Sequence, residues 1–133
     1  MNGAVARGWI VVAALSGAVS VAMGAFAAHG FDVGTEAGRR ARDLLQTGSH
    51  YEIFHALAML GVCALAASKM LNGRLAVAAL WLFLAGSILF PGALYSLALG
   101  GPRWFGAVAP IGGLAFIAGW MLVAVAALRR PIT

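Results

Sequence analysis

Leu75 to Leu99 reads LAVAALWLFLAGSILFPGALYSLAL, an unbroken apolar run without a charged residue. At 1.5 Å rise per residue, a helix of that length crosses a hydrocarbon core roughly 30 Å thick. Comparable runs cover about Gly8 to Ala28, Tyr51 to Ser68 and Val108 to Leu128. Backbone polar groups inside a bilayer need partners within their own segment, and strict alternation of apolar and polar residues is absent, so the spans are helices and not barrel strands. The expected architecture is all-α: one transmembrane domain over residues 1–133, folded as an up-and-down four-helix bundle.

Composition agrees. Of the 133 residues 62% are hydrophobic and 10% charged, against about 25% charged in soluble domains. The net charge of +5 does not form a nucleic-acid-binding groove, because the basic residues sit at span ends. Arg7, Lys69, Arg74, Arg129 and Arg130 share one side with both termini and no acid among them. Arg39, Arg40, Arg42 and Arg103 share the other with Asp32, Glu36 and Asp43. Five basic residues against four orient both termini toward the cytoplasm. The first span also has the look of a secretory signal, with Ala25-Phe26-Ala27 as a cleavage pattern. Its length and its small residues at helical spacing (Ala13, Gly17, Gly24, Ala28) favour retention in the bundle.

Between the first two spans, Thr35 is placed to cap a short amphipathic helix whose apolar face is Ala37, Ala41, Leu44 and Leu45, lying along the membrane surface, with Gly48 free to bend the chain into the second span. Asn72-Gly73 suits a tight turn between antiparallel helices. Trp9, Tyr51 and Trp104 fit the aromatic belts at headgroup level.

The unusual residues gather toward one end of the spans. His29 closes the first, His50, Tyr51, Glu52 and His55 open the second, Tyr95 sits late in the third, and Pro110, Gly112 and Gly113 open the fourth. Carboxylate and imidazole together can relay protons or hold a metal. Ser49 followed by Glu52 is equally a capping box at a helix start. His55 lies about 6 Å deeper than that start and has either an interhelical hydrogen bond or a functional role. Met59 and Cys63 follow His55 at steps of four, a weak copper(I)-type ligand stripe that ordinary packing also explains. Pro91 removes a helical hydrogen bond and kinks the third span. Pro110 suits a first helical turn, while Gly17, Gly24, Gly112, Gly113 and Gly119 suit close helix packing.

Taken together, GAFAAHG at 24–30, YEIFHALAML at 51–60, FPGALYSLAL at 90–99 and PIGGLAFIAGW at 110–120 resemble the domain of unknown function 423 family, related to the transmembrane protein 256 family of eukaryotes. The resemblance implies a multi-pass bacterial inner-membrane protein with no established biochemical activity, and puts His29, Tyr51, His55, Tyr95, Pro110, Gly112 and Gly113 on motif positions. Glu52 stands where that family commonly has Gln, Phe54 where it has Tyr, and Pro91 where it has Ser. An obligatory carboxylate and an obligatory proline kink therefore lose support.

The sequence reading is a non-enzymatic structural or accessory membrane component. The alternative is a small-ligand, proton or metal binding or transport module built on His29, His55 and Tyr95. No cofactor is called for. The partners expected are the lipid bilayer and a second copy or another membrane protein, with no nucleic acid.

Overall fold

The computed structural model describes residues 1–129, so Arg130, used above in the charge comparison, lies outside the described residues. It consists of α1 (Gly3–His29), α2 (Glu36–Ala67), α3 (Gly73–Leu89), α4 (Pro91–Ala98) and α5 (Phe105–Leu128). Four units are long and apolar enough to cross a membrane: α1, α2, the broken rod α3–α4, and α5.

Local chemistry sets most of the boundaries. Asn2, Thr35 and Asn72 each accept backbone N–H bonds at the starts of α1, α2 and α3, which satisfies donors that a helix start leaves unpaired. The break between α3 and α4 falls where expected: Pro91 has no N–H to offer Ser87, Phe90 ends α3, and Pro91 opens α4.

Three expectations are corrected. The polar segment before Gly48 is helical and Thr35 caps it, but it is no separate surface helix. It runs without interruption into the second span, because Ala41, Leu44 and Leu45 pack on Met23, Ala27, Phe31 and Tyr95 and hold it upright in the bundle. Pro110 lies in the second turn of α5, not the first, and is exposed. Trp9 is not a belt residue: it is buried, its ring meeting Trp81 edge-on with centroids 4.9 Å apart.

Antiparallel α1 packs on α2, α3 on α5, and α4 closes against α2 and α5. Toward the termini the core is apolar, with Trp9, Met59, Leu80, Phe83, Phe116 and Ala126 in one cluster. Toward the opposite end it divides into two smaller clusters around Leu45 and Tyr95 and around Ala93 and Ala109. Phe83 of α3 presses on Gly119 of α5, and Phe116 of α5 presses on Gly86 of α3. Each helix thus supplies one ring and one notch, which fixes their register. Ile10, Leu15 and Val21 of α1 and Ile111, Leu114 and Met121 of α5 are exposed, as a face turned to lipid requires.

Candidate functional site

The uninterrupted α2 decides where the site sits. Glu52 is about 24 Å from the helix start at Glu36 and about 22 Å from its end at Ala67. Its partner Ser16 is about 20 Å from either end of α1. Residues 52 and 55 therefore lie near mid-depth, not at a membrane boundary as the apolar run from Tyr51 suggests. The helix is already sixteen residues old at Glu52, so the capping box has no free helix start to serve. Ser49 donates to Gln46 O at 3.0 Å, and the capping role belongs to Thr35, whose Oγ1 accepts from Gly38 N at 3.0 Å.

With no backbone to cap, Glu52 turns to other helices. Ser16 Oγ of α1 donates to Oε1 at 3.1 Å, and Tyr95 OH of α4 donates to Oε2 at 2.6 Å. Glu52 and Tyr95 are 7% and 8% exposed. One carboxyl thereby ties three helices together, and among the described residues no cation pairs with it. Tyr95 reaches it across Gly48, where a Cβ would stand 2.6 Å from the tyrosine ring. Gly48, read as a bend, is a notch in a continuous helix.

One turn further along α2, His55 is committed on both ring nitrogens. Nδ1 meets Tyr51 O at 2.6 Å, and Trp120 Nε1 of α5 donates to Nε2 at 3.1 Å. Because the carbonyl can only accept and the indole can only donate, the ring carries its proton on Nδ1. Phe116 stacks on the imidazole at 3.5 Å between centroids and 10° between planes, and Phe83 lies at 5.4 Å. The ring is thus walled by aromatics from α3 and α5.

This arrangement leaves the His55–Met59–Cys63 stripe with no open imidazole nitrogen. The three residues do share a face, and Met59 and Cys63 are buried in the apolar core. Among the described residues, no group of three or more His, Cys, Asp or Glu converges.

The remaining sequence candidates separate. His29 and His50 are exposed, the first at the end of α1 and the second on the outer side of α2. Neither joins the Glu52 or His55 bonds, so the grouping of His29 with His55 and Tyr95 is replaced by Ser16, Glu52 and Tyr95. Tyr51 is half-exposed, with its ring 4.8 Å from Phe90. Gly17 and Gly24 face α2, where a Cβ would stand in ordinary contact, 3.7 Å from Ile53 and 3.5 Å from Ser49. Gly112 and Gly119 face α3–α4, whereas Gly113 has nothing within 4 Å. Pro110 is exposed. Sequence reading missed Ser16 and Trp120 as partners and Phe83, Phe116 and Gly86 as walls. A hydroxyl and an indole N–H at span midpoints were the available signals, since each needs a partner in lipid.

Four apolar helices closed over a mid-depth polar core are those of a small multi-pass membrane protein. Residues 23–113 match the family described as "Protein of unknown function (DUF423)", and the chain belongs to that family. It is 41% identical over 126 residues to the UPF0382 inner membrane protein YgdD of Escherichia coli (strain K12), covering 92% of this chain and 91% of that protein. It is 36% identical over 124 residues to the UPF0382 membrane protein YwdK of Bacillus subtilis, covering 91% and 96%. A UPF0382 membrane protein of Haemophilus influenzae is 38% identical over 116 residues, covering 87% and 90%. No solved structure matches the chain.

Proposed function

We propose that this protein is a non-enzymatic accessory component of a bacterial inner membrane, with both termini in the cytoplasm, and that its polar core exists to lock the helices together. The observation that carries this reading is the use of both Glu52 carboxylate oxygens by hydroxyls from two other helices. Each carboxyl oxygen meets a hydroxyl from a different helix, so the group is held as a tie between α1, α2 and α4. His55, with both nitrogens engaged, supports the same role. The inner-membrane setting is supported by the names of the relatives. The orientation is supported by the sequence, in which Arg7, Lys69, Arg74, Arg129 and Arg130 flank the spans on the terminal side against four basic residues on the other.

The test is a double-mutant cycle of Ser16→Ala and Tyr95→Phe, read as thermal stability in detergent. Interhelical hydrogen bonds in membrane proteins average about 0.6 kcal/mol and reach about 1.7. Tyr95→Phe is expected near the upper figure, because it strands a buried oxygen. Glu52→Gln keeps an acceptor for Ser16 and a polar atom for Tyr95, and is expected to hold stability, whereas Glu52→Ala loses it. Variants that fold with unchanged stability but lose a ligand carried by the wild type would refute the locking role.

A further inference from the structure

Glu36, Arg39, Arg40 and Asp43 recur along α2 at intervals of three and four, the spacing at which opposite charges on a helix usually pair with each other. Here they do not. Arg39 Nη1 donates to Val33 O at 2.9 Å, and Asp43 meets the adjacent Arg42 at 3.5 Å. The side chains of Glu36 and Arg40 have no ion pair or hydrogen bond among the described residues. These four charged groups line one part of an open surface cavity of about 480 Å³ whose other walls are Leu44, Thr47, Phe90 and Leu94.

Position along the helix gives the cavity a direction. Glu36 adjoins the Gly30–Thr35 loop at the bundle end, Leu44 and Thr47 lie two to three turns further in, and Phe90 reaches the level of Tyr51. The cavity is therefore charged where the bilayer meets water and apolar where acyl chains run. A soluble ion would use only its outer half and a hydrocarbon only its inner half. Two guanidinium groups beside two carboxylates also select a headgroup with both signs of charge. A purely anionic headgroup would lie against Glu36 and Asp43, and a trimethylated ammonium has no proton to donate to them.

We propose that this cavity binds one phospholipid with a primary-amine headgroup, of the phosphatidylethanolamine class. Its phosphate sits on Arg39 and Arg40, its ammonium on Glu36 and Asp43, and one acyl chain lies along Leu44, Leu94 and Phe90. Arginine guanidinium groups hold phosphate oxygens by charge-assisted hydrogen bonds, and the volume falls within the 300–1,000 Å³ of ordinary ligand sites.

The experiment is native mass spectrometry of the full chain in detergent, titrated with an equimolar mixture of chain-matched phosphatidylethanolamine, phosphatidylcholine and phosphatidylglycerol. Phosphatidylethanolamine is expected to dominate the bound fraction. The exposed double substitution Glu36→Gln/Asp43→Asn is expected to lower its advantage over phosphatidylglycerol about three- to fivefold, the effect of losing partly screened ion pairs, and Arg40→Gln to weaken both. Equal occupancy by the three lipids overturns the proposal, as does a preference that survives the double substitution. Displacement by water-soluble glycerophosphoethanolamine at the same concentration as the lipid also overturns it, because the apolar wall would then contribute nothing.

Discussion

Gly112 and Gly113 are chemically identical neighbours that should answer the same substitution in opposite ways. A Cβ on Gly112 would stand 2.4 Å from Phe90 N and 2.7 Å from both Leu89 C and Phe90 Cβ. None of these is the far end of a flexible side chain; two are backbone atoms at the α3–α4 break. Ordinary carbon contacts need about 3.5–4 Å, so α5 must retreat by about 1 Å along its contact with α3–α4. Retreat loosens Phe116 from Gly86 and Phe83 from Gly119, the ring-and-notch pairs of the same interface. Overpacking of this kind costs about 1–3 kcal/mol or more, against a gain of at most about 1 kcal/mol for replacing a helical glycine with alanine. Gly113 has open space, so Gly113→Ala keeps that gain with nothing set against it. The propensity gain is common to both variants and cancels, so the expected separation between them is the overpacking cost, about 1–3 kcal/mol. Helical signal and monodispersity after graded heating in detergent would measure it, with half-lives at a fixed temperature if unfolding is irreversible. Equal stability of Gly112→Ala and Gly113→Ala would refute the claim that α5 meets the α3–α4 break through a backbone contact.

Gly48→Ala should destabilise the bundle while Gly61→Ala does not, since the first meets the Tyr95 ring and the second meets nothing; melting curves of the pair decide it. Trp120→Phe strands Nε2 of His55 and should cost about 1 kcal/mol, within the range for interhelical hydrogen bonds, and a double-mutant cycle with His55→Ala should show the two losses are shared. Gly100, at φ 85, is the described glycine with a positive φ, so Gly100→Ala should cost about 1–2 kcal/mol through backbone strain, again read by melting. Cys63 is buried, and should resist maleimide in the folded protein and react once denatured in dodecyl sulfate; His55→Ala should leave the metal content of the purified protein unchanged, as elemental analysis would show.

Local chemistry was legible in the sequence, and contacts between distant segments were not. The apolar run at Leu75–Leu99 declared a span, Pro91 declared its break, Thr35 declared its cap and Asn72-Gly73 declared a turn, because each acts on neighbours a few residues away. The true length of α2 was hidden because Arg39, Arg40, Arg42 and Asp43 interrupt its hydrophobicity, although Leu44 and Leu45 still hold that turn in the bundle. That displacement carried the whole site with it: starting the helix near Ser49 makes Glu52 a cap, whereas starting it at Glu36 makes Glu52 a mid-depth anchor. Its partners Ser16 and Tyr95 lie 36 and 43 residues away, and no local pattern connects them. Gly112 and Gly113 were grouped as packing glycines, yet about 100° of rotation separates adjacent residues on a helix, so one faces the α3–α4 break and the other does not.

The bond network at Glu52 also has an order in time. A chain made from its N-terminus brings Ser16 into the membrane first, Glu52 next and Tyr95 last, with α3 between them. When α2 enters, Oε1 already has its donor in α1, while Oε2 waits for a helix not yet synthesised. The α1–α2 hairpin is thus the earliest unit able to shelter the carboxyl, and the arrival of α4 relieves its remaining need. A polar residue that looks costly for insertion thereby gives the nascent chain a reason to retain the first hairpin until the last helices close over it.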